Sequence, residues 1–256
     1  MTTDFRITSL GPCLINSPLG ISGFVSDDHR ILFNTRIENY ADKQDDTKTP
    51  LSLECAGPRK KIFFDPAETK AAIVTCGGLC PGINDVIRSL TMTLFYRYGV
   101  RQILGIKYGL RGLNPALGHQ PVALTPDFVK DITHIGGSIL SSSRGPQDCD
   151  VMVDYLAHLK VNILFCIGGD GTMRAAEKIT QTITAQGLSI AVIGIPKTID
   201  NDLSLIEKSF GFDTAIERTV EAVRCAHVEA KGAHHGIGLV KIMGRESGYI
   251  TATAAL

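Results

Sequence analysis

The chain predicts an α/β fold, a doubly wound parallel sheet with helices on both faces, followed by the start of a second α/β domain. Three observations carry this: short apolar runs alternate with segments of helical spacing from residue 70 onward, the links between them are short, and glycine-rich turns recur where an apolar run gives way to a helix. In such sheets ligands sit at the carboxyl ends of the strands, where those turns fall.

Residues 1–69 carry weak periodicity, Pro-Leu-Gly and Asp-Asp turns and the polar run Ala41 to Lys48, so they read as an extension with an exposed loop rather than a core. From Lys70 the texture changes. Ala71 to Cys76 is a strand, Gly77-Gly78 breaks it, and Pro81 marks the first helical position of a helix reaching about Tyr98 and stopping at Gly99. A strand over Gln102 to Ile106 leads into the loop Lys107 to Gly112, then a helix from Pro126 to about Ile135, the loop Ser141 to Pro146, and a helix over Cys149 to Leu159. Val161 to Ile167 is the next strand, Thr172 to Ala185 the next helix with Gly187 ending it, and Ser189 to Ile195 the strand after that. These elements predict an α/β domain over 70–200, expected to bind a nucleotide at its strand ends. Residues 201–256 begin a second one: a helix over Phe212 to Ala230, a strand over Ile237 to Ile242, the turn Met243 to Gly248 and a last helix from near Ser247. The sequence stops at Leu256 in an apolar run with no capping glycine, so a cut-short chain is expected.

Composition excludes several classes. With 26 basic and 26 acidic residues among 256, no whole-chain charge draws it to nucleic acid or an anionic membrane. No stretch approaches the roughly 20 apolar residues that span a bilayer, and Met1 to Ile15 carries Asp4 and Arg6 where a secretory signal would be apolar. Seven cysteines, an odd number without metal-finger spacing, read as reduced thiols of a cytoplasmic protein.

Chemistry gathers at strand ends. Gly77 to Gly82 lies between strand and helix, where free N–H groups and the helix dipole can hold a phosphate, although any doubly wound domain needs glycines at such a turn. Gly168-Gly169-Asp170-Gly171-Thr172 adds a carboxylate where glycines leave no side chain to block a nucleotide; Asp170 either holds magnesium or caps the following helix. Asp200 and Asp202, in Pro196-Lys197-Thr198-Ile199-Asp200-Asn201-Asp202, are either turn aspartates or an acid/base pair. One residue apart they should raise each other's pKa, and Lys197 should oppose that shift and keep Asp200 a base for an attacking hydroxyl. Arg144 and Arg245, beside glycines, suit bidentate phosphate contacts as well as surface ion pairs. Together these fit a magnesium-assisted phosphoryl transfer.

In this order the motifs resemble the phosphofructokinase family. Ala56-Gly57-Pro58-Arg59 through Thr75-Cys76-Gly77-Gly78-Leu79-Cys80-Pro81-Gly82-Ile83-Asn84 is similar to its long ATP-dependent branch of plants and trypanosomatids, over roughly residues 56–256. The resemblance implies transfer of the ATP γ-phosphate to the 1-hydroxyl of fructose 6-phosphate, with Mg2+, in a homo-oligomer, dimer or tetramer. It implies that Gly77 and the loop Gly168, Gly169, Asp170, Gly171, Thr172 contact ATP phosphates, Asp170 serving magnesium, and that Asp200 is the catalytic base. It places Thr198, Asp202, Met243, Gly244 and Arg245 around the sugar phosphate, Arg245 also stabilising transition-state charge, and Tyr108, Arg144 and Arg174 on the nucleotide side. In pyrophosphate-using relatives the position of Gly171 is an aspartate that would fill the place of the nucleotide α-phosphate, so glycine favours ATP, while Lys197 is shared by both. Short bacterial members carry a sugar-phosphate arginine at what looks like Gly236, and family members continue well past the Met-Gly-Arg turn. Lipid and NAD kinases share the Gly-Gly-Asp-Gly-Thr loop but lack the Asp-Asn-Asp and Met-Gly-Arg turns. A pyrophosphate-dependent enzyme and a non-catalytic nucleotide-binding or regulatory fragment are the alternatives.

Overall fold

The computed structural model describes residue 5, residues 7–33 and residues 51–256. The expected exposed loop over 41–48 lies outside the described residues. Four short strands come first: β1 (Ile15–Asn16), β2 (Arg30–Leu32), β3 (Ser52–Glu54) and β4 (Lys61–Ile62). β1 pairs with β4 and β2 with β3, both antiparallel. Among the described residues the buried apolar side chains begin only at Ala71, so this region adds nothing to the core, as its weak periodicity predicts.

The sheet begins at β5 (Lys70–Thr75), followed by helix α1 (Ile83–Met92), β6 (Gln102–Ile106) and β7 (Val122–Ala123). Then come α2 (Pro126–Val129), α3 (Cys149–His158), β8 (Ile163–Gly168), α4 (Asp170–Ala185) and β9 (Ala191–Pro196). Strand order is β7-β6-β5-β8-β9, with β6, β5, β8 and β9 parallel. β7 pairs antiparallel with β6, a departure from an all-parallel sheet: the chain turns back through two 3₁₀ turns, Gly109–Leu113 and Pro115–Leu117, and returns along the strand it just left.

Because successive strand residues point to opposite faces, β5 serves two apolar layers. Ala72 and Val74 pack with Met152, Val153 and Leu156 of α3 and Ala176, Ile179 and Ile183 of α4. Ala71 and Ile73 pack on the other side with Ile83 and Ile87 of α1 and with Val129 and Ile132. The four central β5 residues from Ala71 to Val74 are fully buried, which is why this run reads as continuously apolar.

Several expectations are corrected. The helix after β5 starts at Ile83 rather than Pro81, with Gly82 as its left-handed N-cap at φ 89°, and its last turn, Thr93–Tyr98, is π-helical before Gly99 at φ 80°. The helix expected over Pro126 to Ile135 breaks after Val129, because Asp131 (φ −110°, ψ 8°) leaves helical geometry, and resumes as a 3₁₀ turn over Ile132–His134. The strand expected over Ile237 to Ile242 does not form. This stretch runs back along α5 (Phe212–Gly232), where a Cβ on Gly238 would sit 2.8 Å from the Ala226 carbonyl oxygen. A helix has spent its backbone groups internally and offers no ladder to a strand. Ile237 and Leu239 are therefore 92% and 93% exposed. The last helix, α6 (Tyr249–Ala255), begins two residues later than expected and packs against α5, with Phe212 and Ile250 buried.

Leu164, fully buried on β8, lines the layer under α3 and α4. Leu164→Ala is expected to cost about 2–5 kcal/mol through lost burial and the cavity left behind. The midpoint shift in urea denaturation checks this.

Candidate functional site

From β5 the chain goes first to β6 on one side and later to β8 on the other, so the strand order reverses between β5 and β8. The crevice at that switch point is framed by the loops after β5, β8 and β9. At Gly168 a Cβ would lie 2.1 Å from the Thr172 Oγ1, so only glycine lets the end of β8 pass over the first turn of α4. The Gly169 carbonyl accepts from Thr172 N (2.8 Å) and Met173 N (3.0 Å), which seats the helix. Above Gly171 lies open space, with no atom within 4 Å of where a Cβ would stand.

Asp170 is the first residue of α4 and caps nothing; its carboxylate pairs with Arg174 one turn on, both side chains well exposed. The helix-cap reading of Asp170 therefore falls. Gly77, at φ 81°, donates its N–H to the Ser143 carbonyl (3.1 Å), and its own carbonyl accepts from the Ser142 hydroxyl (2.7 Å). Its N–H is not free for a phosphate, contrary to expectation. Arg144 lies beside this loop: its guanidinium is 3.3 Å from where a Gly78 Cβ would be.

Lys197 ties the loops together. It is 4% exposed; its Nζ donates to the Gly78 carbonyl (2.6 Å) and its backbone N–H to the Gly168 carbonyl (2.9 Å). Burial pushes its ammonium below the usual lysine value and Arg144 adds to that, while Cys80, Cys76 and Asp200 oppose it. Burial also pushes the Cys76 and Cys80 thiols up to about 11, with Lys197 pulling each back. All seven cysteines are free.

Past β9, the two carboxylates divide. Asp200 Oδ1 accepts the backbone N–H of Arg245 (3.2 Å) and stands 2.9 Å from where a Gly244 Cβ would be, so Gly244, at φ 151°, lets the turn approach it. The Ser247 hydroxyl donates to the Asp200 carbonyl (3.1 Å). Asp202, its side chain 22% exposed, accepts from the Thr198 hydroxyl at Oδ1 (2.7 Å) and from the Arg245 guanidinium at Oδ2 (3.2 Å). The Thr198 bond, and then Arg245, hold its carboxyl below the usual carboxylate range against some desolvation. For Asp202 this corrects the expectation of a raised pKa, because its carboxylate faces the Thr198 hydroxyl and the Arg245 guanidinium rather than the other carboxylate. A cleft of about 790 Å³ opens here, lined by Asn201, Asp202, Phe212, Arg245, Ser247 and Tyr249 among others.

Thus Thr198, Asp200, Asp202, Gly244 and Arg245 come together at one strand end, and the Gly168–Thr172 loop stands at the next. Met243 stands apart, its side chain mostly exposed. Tyr108, in the left-handed region at φ 59°, packs against His119 with the rings tilted by 39° and their centroids 4.6 Å apart. Sequence reasoning missed Ser142, Ser247 and Ser209, whose hydroxyl accepts from Thr198 N (2.8 Å). For Ser142 the serine run before Arg144 was an available signal; the other two carry none. Among the described residues no group of three His, Cys, Asp or Glu side chains could hold a metal ion. Asp170 is the one carboxylate on the Gly168–Thr172 loop, and a lone carboxylate fits magnesium, which keeps several waters and takes few ligands from protein.

Residues 70–256 match the Phosphofructokinase family. A Borreliella burgdorferi protein named ATP-dependent 6-phosphofructokinase is 50% identical over 99% of this chain and 58% of its own length. One of the same name from Trypanosoma cruzi is 52% identical over 81% of this chain and 43% of its own. The solved Pichia pastoris phosphofructokinase in the T-state shares the fold, with TM-score 0.62 at 23% identity over 80% of this chain and 24% of that one. The chain spans about half the length of the curated relatives it matches.

A carboxyl whose pKa is depressed by folding stabilises the fold above its unfolded value, about 3.9, and that contribution is lost as pH falls through the folded value. Asp202→Asn should therefore be less stable than wild type at pH 6, with the gap closing below about pH 4. Urea midpoints measured in steps of pH check the sign.

Proposed function

The chain belongs to the phosphofructokinase family, and on that premise we propose that it acts as an ATP-dependent 6-phosphofructokinase, moving the γ-phosphate of ATP to the 1-hydroxyl of fructose 6-phosphate. The observation that carries this reading is the placement of the Gly168–Thr172 loop and the Asp200–Arg245 pair at the ends of adjacent parallel strands, β8 and β9. Residues 70–200 serve the nucleotide and 201–256 begin the side that holds the sugar.

ATP lies with its phosphates over Gly168 to Thr172 at the start of α4, where the helix N-terminus favours negative charge. Open space at Gly171 receives the α-phosphate. Asp170 would hold the magnesium that travels with the nucleotide, an ion that would supply neutralisation of charge on the transferring group. Its present pairing with Arg174 is exposed, worth about 0.2–1 kcal/mol, too little to keep Asp170 from that role. Arg174, Arg144 and Tyr108 complete the nucleotide side. Fructose 6-phosphate occupies the cleft lined by Asp202 and Arg245, with Thr198 bonded to Asp202 and Gly244 against Asp200. Asp200 takes the proton of the 1-hydroxyl as that oxygen bonds to the γ-phosphorus and the bond to the ADP oxygen breaks. Arg245 faces the charge spread over the transferring oxygens. The protein works in the cytoplasm as a homodimer or homotetramer; among the described residues no helix is long and apolar enough to cross a membrane.

The test is phosphorylation of fructose 6-phosphate by the 256-residue chain and by a version lengthened to match its relatives, with pyrophosphate as control donor. Transfer from ATP in either supports the reading; transfer from pyrophosphate alone, or ATP binding without transfer in both, overturns it. Asp200→Ala should leave ATP affinity near wild type and lower turnover by about 10² or more, read by calorimetry and steady-state kinetics. Gly171→Asp fits the free protein without a clash, so its melting temperature should hold while ATP affinity falls. Unchanged ATP affinity would remove the argument for the donor.

A further inference from the structure

We propose that Asn201 is a positioning residue for the phosphoryl transfer: its left-handed turn and the two hydrogen bonds of its side-chain amide hold Asp200 and Asp202 on separate parts of Arg245. The proposal rests on the assignment of Asp200 as the base.

In an extended chain, residues i and i+2 point the same way, so Asp200 and Asp202 would crowd one another and compete for a single guanidinium. Asn201 stands between them at φ 51°, in the region that asparagine enters more readily than most side chains. With that kink, Asp200 reaches the backbone N–H of Arg245 (3.2 Å) and Asp202 its guanidinium (3.2 Å). The kink is braced from its own side chain. Asn201 Nδ2 donates to the Glu207 carbonyl (3.0 Å) and Oδ1 accepts from Ser209 N (2.8 Å). Ser209 in turn accepts Thr198 N–H on its hydroxyl (2.8 Å), and Thr198 donates to Asp202 (2.7 Å). The circuit Asn201, Ser209, Thr198, Asp202 closes the 198–209 loop on itself, with Ser209 and Thr198 both buried. Every link is a backbone or side-chain bond within that loop, and none reaches the Gly168–Thr172 loop, so the circuit sets the base without touching the phosphate cradle. A shift of about 1 Å at a reacting group is enough to cost a large factor in rate.

Asn201→Gly keeps access to the left-handed turn and deletes the amide; Asn201→Ala deletes the amide and opposes the turn as well. For Asn201→Gly we expect kcat to fall about tenfold or more and ATP affinity, by calorimetry, to stay within about twofold, with Asn201→Ala lower still in kcat. Amide hydrogen exchange should quicken over residues 198–209 and at Arg245 and stay unchanged over 168–172. Wild-type kcat in Asn201→Gly, or exchange quickening over both loops with ATP affinity lost alongside kcat, overturns the proposal. If the wild-type protein transfers no phosphate to fructose 6-phosphate, the reading of the preceding subsection fails, and the exchange pattern decides Asn201 by itself: quickening confined to 198–209 and Arg245 supports it, and unchanged exchange overturns it.

Discussion

The Lys197 ammonium donates to the Gly78 carbonyl across the end of β8, and the arrangement of the loops at the switch point depends on that bond. It joins the loop after β5 to the loop after β9, while the Lys197 N–H fastens the second loop to Gly168 at the end of the strand between them. A buried ammonium is costly unless it is hydrogen-bonded, so the pairing resists being broken piecemeal. Three loops from three strands thereby meet at one residue. Arg144 stands beside Gly78 on one side of this bridge, and Asp200 lies three residues past it on the other.

The same economy governs the carboxylates. Arg245 meets both aspartates with different atoms, giving its guanidinium to Asp202 and only a backbone N–H to Asp200. The carboxylate proposed to accept a proton thus meets Arg245 only at its backbone, and its neighbour holds the cation. The cation stays at hand for the oxygens of an incoming phosphate.

Much of this was legible from residue order. Gln102–Ile106 forms its strand with the bounds that the apolar run predicts, and α3 and α4 fall within two residues of theirs, because burial on one face imprints a period on the sequence. The glycine and aspartate runs were legible because each is contiguous. What escaped depends on partners far along the chain. Gly77 spends its N–H on Ser143, and Asp202 takes its guanidinium from Arg245, contacts that no local pattern announces. β7 is two residues long, too short to carry a period. The apolar run at Ile237 has the right composition for a strand, but a strand exists only where a neighbour presents a free ladder, and its neighbour here is helix α5.

The order of strands in the sheet also sets the order in which the protein can assemble. β5 pairs with β6 a short way down the chain (Ala71 opposite Ile103) but with β8 only after far more chain has been made (Ala71 opposite Ile163). Closing the longer loop costs more entropy before any contact repays it, so pairing on the β8 side comes late. During synthesis the apolar strand at the centre of the sheet waits with one edge open, and the nascent chain depends on helix α1 and strand β6 to shield it until the second half arrives.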